Sequence, residues 1–177
     1  LSHRFVFVHI PKTAGNSIRL ALEPFCEGEI ATNERQARYN QAMCGMHRFR
    51  IEGSPLNVGK HAKLAQMHRA WREDEFGPWS SYTKFTCVRN PWDRLVSFYF
   101  SPHSERTRFD RDSFVAFITS AIDRNQADFV RLNGEVGIDH FIRFEHLASD
   151  FDRLCSTLGI SAVLSHVNAS RRDAYQD

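Results

Sequence analysis

Two short stretches of this chain carry residue types, in an order, that suit the binding of oxyanions. The first is His9-Ile10-Pro11-Lys12-Thr13-Ala14-Gly15-Asn16-Ser17. A loop of small residues leading into a helix exposes several backbone N–H groups, and the helix dipole adds partial positive charge at the same point. Gly15 permits close approach of the backbone to an oxyanion. Lys12 adds a full positive charge, and Thr13 and Ser17 add hydroxyl donors. The expectation is a phosphate-type cradle made by Lys12, Thr13, Ala14, Gly15, Asn16 and Ser17. It is not the G-x-x-x-x-G-K-[ST] loop, because Lys12 precedes the glycine and no first glycine exists. Taken alone, the stretch is also compatible with an ordinary strand-to-helix turn bearing a solvated lysine.

The second stretch is Cys87-Val88-Arg89-Asn90-Pro91-Trp92-Asp93-Arg94-Leu95-Val96-Ser97-Phe98-Tyr99. The planar fork of Arg89 suits a phosphate. On a helix starting near Pro91, positions 93, 94 and 97 share one side, away from a 92, 95, 96, 99 face. Arg89 and Ser97 would then grip one phosphate from two directions. The bland alternative is a surface Arg89 paired with Asp93, beside a solvated Ser97.

The elements that must position these residues follow from hydrophobic periodicity. Phe5 to Ile10 reads as a buried strand stopped by Pro11, and Ile18, Ala21, Leu22 and Phe25 then follow helical spacing. Lys60 to Glu73 is predicted to be a helix burying Leu64, Met67, His68 and Trp71. Lys84 to Val88 is a second buried strand, and Pro91 suits the first turn of the helix after it. A helix capped by Asp112 or Ser113, a third strand over Ile138 to Phe144, and a helix from Ser149 closed by Gly159 complete the pattern. Residues 27–59 and the loop 102–111 are expected to be irregular. Strands alternating with helices imply an α/β fold with a mainly parallel sheet. In such sheets ligands sit beyond the carboxyl ends of the strands, where both stretches lie.

Composition narrows the class. The 177 residues are read as one domain, with 42% hydrophobic and 25% charged residues. The 15 phenylalanines fall mostly in periodic runs and read as core. A net charge of +2 gives no case for nucleic acid. None of the four cysteines forms a C-x-x-C pair, so no zinc site is expected, nor an acidic metal cluster. Cys87 and Cys155 read as buried free thiols, and Cys26 and Cys44 would pair only if the fold joins them. No run of about 18 apolar residues marks a membrane span. The chain opens on Leu1 and is read as an excerpt, with Arg171 to Asp177 continuing into a missing helix, so the lack of a targeting signal weighs little.

Taken together, the two stretches resemble known motifs. His9 to Ile18 resembles the 5′-phosphosulfate-binding loop of the sulfotransferase superfamily, and Phe85 to Tyr99 resembles its 3′-phosphate-binding strand and helix. Glu145-His146-Leu147, Asp150-Phe151, Leu158-Gly159 and His166 to Ser170 resemble later segments of the carbohydrate branch, Golgi-type and bacterial. The resemblance implies a P-loop-kinase-like α/β fold, a parallel sheet flanked by helices. It implies 3′-phosphoadenosine 5′-phosphosulfate (PAPS) as donor, 3′,5′-ADP as product, and no metal. Residues 12 to 17 would hold the 5′-phosphosulfate, and Arg89 and Ser97 the 3′-phosphate. The partner would be a hydroxyl-bearing acceptor, expected to be a saccharide. A bacterial cytoplasmic location is favoured over the Golgi lumen. An ATP-dependent P-loop-type kinase, and a domain that binds nucleotide or sulfated glycan without turnover, are the rivals.

Sulfonate transfer needs a base for the hydroxyl and a cation for charge growing on the leaving phosphate oxygen. Lys12 is the candidate cation. His61 is the candidate base, placed at a predicted helix start that would keep its ring neutral. A capping or solvated histidine is the plain alternative. His68 reads as core edge, His9 as support for the loop through a hydrogen bond, and Glu145, on the late strand, as a rival base. The acceptor site is expected within residues 27–57 and 101–111, where Arg35, Arg38, His47, Arg48 and Arg50 would meet an acidic acceptor or form a solvated face.

Overall fold

Residues of alternating direction along three short strands explain the core. The computed structural model describes residues 3–25, 60–101, 106, 108–120 and 125–164. Strand β1 is Phe5–Val8, β2 is Thr83–Val88, and the later strand of the same sheet, β5, is His140–Arg143. They form a parallel sheet in the order β1-β2-β5, with β2 in the centre. Side chains on a strand point alternately to opposite faces. Val6 and Val8 therefore pack with Leu64, Met67, Trp79, Tyr82, Val130 and Ile138 on one face. Phe5 and Phe7 pack on the other, with Ile18, Leu22, Phe85, Cys87, Ile142, Phe151 and Leu154.

Helices cover both faces. Helix α1 is Gly15–Leu22, α2 is Leu64–Ala70, α3 is Glu73–Phe76, α4 is Pro91–Tyr99, α5 is Arg111–Ser120, α6 is Ala127–Val130 and α7 is Leu147–Leu158. This is the expected α/β arrangement of a parallel sheet flanked by helices. Helix α7 ends at Gly159, whose φ of 65° is the left-handed cap that glycine accepts without strain. Cys87 and Cys155 are buried free thiols. Burial pushes the Cys87 thiol up to about 12.

Several expectations are corrected. The single helix over Lys60 to Glu73 is two short helices, α2 and α3, with Trp71 extended between them. Leu64 and Met67 are buried as expected, but His68 is exposed and meets the edge of Trp79. The cap of α5 is Asp110, whose carboxylate accepts from the Ser113 N–H at 2.7 Å. A small hairpin not foreseen, β3 (Arg131–Leu132) with β4 (Glu135–Val136), turns at Asn133 and Gly134. Both turn residues have positive φ, 53° and 86°, the conformation an Asn-Gly pair favours in a two-residue hairpin.

Candidate active site

The first loop departs from β1 at the carboxyl end of the sheet. Lys12 and Ala14 adopt left-handed φ values of 68° and 62°. For residues other than glycine such conformations cost roughly 1 kcal/mol or more and cluster at functional sites. Left-handed residues in such a turn can help to gather backbone N–H groups into an anion-binding concavity. Gly15 does not supply the positive φ here. A Cβ on Gly15 would lie 2.0 Å from the His9 ring, so glycine is required by the close approach of that ring. His9 is buried and stacked on Phe7 at 5.6 Å. Its ring supports the loop by packing, and the hydrogen bond it makes is through its carbonyl, 3.0 Å from His61 Nδ1.

The polar side chains of the loop divide into braces and donors. The Thr13 hydroxyl donates to the Ile10 carbonyl at 2.8 Å and is fully buried. Its hydroxyl proton is thus committed within the loop, and the backbone N–H is what Thr13 can offer an anion. Asn16 Oδ1 accepts from Lys60 Nζ at 2.7 Å. Asn16 keeps its amide N–H₂ as a donor group. Ser17 lies buried in the first turn of α1. Burial, with Arg19 nearby, lowers Lys60 to about 8.

The second turn is locked onto the first. The Arg89 side chain is 10% exposed, and its Nη2 lies 3.6 Å from Asp93 Oδ2. Its Nη1 donates to the Lys12 carbonyl at 3.3 Å, and its guanidinium carbon sits 3.9 Å from the Phe144 ring centre. Arg94 Nε donates to the Pro11 carbonyl at 2.9 Å. The expected burial of α4 is corrected at Trp92 and extends to the polar side, while Tyr99 is buried as expected. Trp92 is 68% exposed, whereas Arg94 and Ser97 are 4% and 7% exposed. A helix that leans on a polar loop buries the polar stripe that can bond to it. Ser97, one turn beyond Arg94 on that stripe, faces the same side.

Asn90 caps α4, accepting from the Trp92 and Asp93 N–H groups at 3.0 and 3.5 Å. Its own N–H donates to Glu145 Oε1 at 2.6 Å. Glu145 lies in the 3₁₀ turn Phe144–His146 just after β5, not on the strand, and this bond gives it a structural role. The side-chain amide of Gln126 pairs with both backbone groups of Arg89, accepting from N–H at 3.0 Å and donating to C=O at 2.7 Å.

His61 lies in a turn three residues before α2 rather than at the helix start, which removes the expected dipole argument. A different contact orients it. Nδ1 lies 3.0 Å from the His9 carbonyl, and the two rings meet edge-on at 4.5 Å. A carbonyl only accepts, so Nδ1 carries the proton and the lone pair of the neutral ring is on Nε2. Burial lowers His9 well below the usual histidine range, with His61, Lys60 and Arg19 adding to the effect.

The chain thus joins two polar turns at the carboxyl ends of neighbouring strands, with an oriented imidazole beside the first. A family model described as the sulfotransferase family matches residues 2–172. The chain belongs to the sulfotransferase family. The carbohydrate branch named by the motifs is consistent with that match. No curated protein and no solved structure matches the chain at a significant level. Sulfonate transfer in general is the activity of the family, and the sheet with its flanking helices fits a P-loop-kinase-like fold.

Arg94, Gln126 and Phe144 are site-building residues that sequence reasoning missed. Only the polar type of Arg94 among apolar neighbours gave a signal. Arg35, Arg38, His47, Arg48 and Arg50 of this sulfotransferase domain lie outside the described residues, as do Cys26, Cys44 and the motif His166 to Ser170. Among the described residues, no group of three or more His, Cys, Asp or Glu is placed to hold a metal ion. Among the same residues, no helix is long and apolar enough to cross a membrane.

Proposed function

We propose that this sulfotransferase moves a sulfonate group from PAPS to a hydroxyl of a saccharide acceptor, releasing 3′,5′-ADP. The observation that carries the reading is the bond from Arg89 Nη1 to the Lys12 carbonyl, which places the two anion-binding turns against each other. A ligand bearing two separated anionic groups on one adenosine fits such a pair. The nest at Lys12 to Ser17 would take the 5′ end, and Arg89 with Ser97 the 3′-phosphate.

The donor supplies an activated sulfonate, which carries less negative charge than a transferring phosphoryl group. A metal is therefore not needed in this reading. His61 Nε2 takes the proton of the acceptor hydroxyl, because Nδ1–H is held by the His9 carbonyl. Lys12 offsets charge that develops on the leaving phosphate oxygen. The saccharide follows from the carbohydrate branch that the motifs resemble.

The test uses labelled PAPS, 3′,5′-ADP and 5′-AMP. His61→Ala is expected to lose transfer by about 10²- to 10⁴-fold, the range of a positioned base, while 3′,5′-ADP binding holds. Arg89→Ala is expected to weaken 3′,5′-ADP far more than 5′-AMP. Full activity of His61→Ala dismisses the base. Tighter binding of ATP with Mg²⁺ than of 3′,5′-ADP turns the reading to a kinase. Failure of any acceptor in a saccharide screen to take label from bound PAPS turns it to a binding domain.

A further inference from the structure

We propose that Gln126 is a positioning residue that sets the selectivity of this site for a 3′-phosphorylated nucleotide, an inference that rests on the assignment of Arg89 to the 3′-phosphate. Strand β2 pairs with β5 only as far as Val88 against Arg143. Beyond that point the N–H and C=O of Arg89 have left the ladder, and buried backbone groups must find other partners. Gln126, 37 residues further on, provides both at once. Its amide has the donor and acceptor of a peptide group, so it replaces a missing strand for one residue.

That pairing fixes more than the backbone. Arg89 must send its guanidinium between the Phe144 ring and the Lys12 carbonyl. The direction of the Cα–Cβ bond decides whether the fork arrives there, and Gln126 holds the peptide groups on both sides of that bond. Glutamine suits the task where glutamate does not. A carboxylate could accept from the Arg89 N–H but would face the Arg89 carbonyl with a second acceptor. Gln126 reaches the 5′-phosphate nest only through Arg89, whose Nη1 bonds to the Lys12 carbonyl, so its effect should fall mainly on the 3′ end.

The experiment measures affinities of the full chain for 3′,5′-ADP and 5′-AMP, with thermal unfolding alongside. Gln126→Met keeps the length of the side chain and removes both hydrogen bonds. The expected result is a fall of about tenfold in the ratio of the two affinities, the scale of one or two lost hydrogen bonds, with 5′-AMP binding within about twofold of the parent. Gln126→Glu, which keeps one acceptor, guards against a misfolded Met variant and is expected to lower the same ratio. An unchanged ratio in a folded Met or Glu variant overturns the proposal, whatever happens to the melting temperature, because a simple brace weakens both ligands alike. Arg89→Ala separates the two levels. If it abolishes the selectivity and the Gln126 variants do not, Gln126 is no positioning residue but Arg89 keeps its role. If Arg89→Ala leaves the selectivity intact, the assignment of the 3′-phosphate fails and this inference falls with it.

Discussion

The loop after β1 is packed tightly from within and receives distant side chains at its oxygens, whereas the turn after β2 has its backbone N–H groups held by side chains from far along the chain. Thr13 bonds to Ile10, and Gly15 folds over the ring of His9. Arg89 and Asn90 depend instead on Gln126, Phe144 and Glu145, which lie 37 to 55 residues away. A loop packed that tightly from within fails when a single atom is added inside it. A turn held from outside fails when a distant partner is removed, and the effect falls first on its own end of the ligand.

The largest effect is expected inside the self-packed loop. Gly15→Ala forces a Cβ into the His9 ring at 2.0 Å. Either the ring or the nest must move, and a displacement of about 1 Å at a reacting centre can cost about 10²-fold in rate. A loss of that order in kcat/KM is expected for both donor binding and transfer. The clash has one partner, which allows a sharper measurement. In a His9→Ala background the same Gly15→Ala change should cost much less, the non-additivity expected of residues in contact. Additive losses would show that the glycine matters for some reason other than the ring.

A smaller effect is expected at the externally held turn. Glu145→Gln retains an oxygen that can accept from the Asn90 N–H, so near-parental turnover is expected, within about twofold. Glu145→Ala leaves that N–H without its acceptor, and about a tenfold rise in the 3′,5′-ADP dissociation constant is expected. This pair also decides between Glu145 as brace and Glu145 as base. A general base cannot be replaced by an amide, so a drop of 10²-fold or more in kcat for the Gln variant, in the range of base catalysis, would restore the rival assignment.

The same contrast explains what could be read before the coordinates. The first loop was legible because its chemistry is contiguous: Lys12, Gly15 and Ser17 stand in one run, and the strand and helix around them follow clear periods. The main strands and α7 were legible for the same reason. Arg89 and Ser97 were found through their spacing, but their supports were not, because no local pattern links Gln126 to Arg89. On α4 apolar periodicity points correctly to Tyr99 and wrongly to Trp92, and it gives no sign that Arg94 and Ser97 are buried. Arg94 is inside because its Nε meets the Pro11 carbonyl, a reason that exists only in the folded chain, and Ser97 is buried on the same side. The hairpin at Asn133-Gly134 carries a local turn signal, the Asn-Gly pair, which hydrophobic periodicity alone does not use.

The smallest effects should appear as stability against pH, and the two regions should respond in different windows. His9, beneath the first loop, is held neutral because burial opposes its charge. Its folded-state pKa lies below the unfolded value near 6.5, so the unfolded chain binds the extra proton first. The stabilisation is complete above about pH 6.5 and declines as the pH falls below it. Asp150, beside the second region, accepts from the Arg143 backbone N–H at 3.0 Å, from Arg143 Nε and Nη2 at 2.8 Å each, and from Arg153 Nη1 at 3.3 Å. The Arg143 side-chain bonds, then the backbone bond, hold its carboxyl well below the usual carboxylate range. Its contribution is intact above about pH 4 and is lost only as the pH falls on toward the folded-state value. Urea midpoints measured from pH 8 to pH 3 should therefore fall in two stages. His9→Gln should remove the upper stage and leave the lower one, and Asp150→Asn should do the reverse. A single stage that both variants flatten would mean that the two regions unfold as one acid-sensitive unit, and that their independence at the site does not extend to stability.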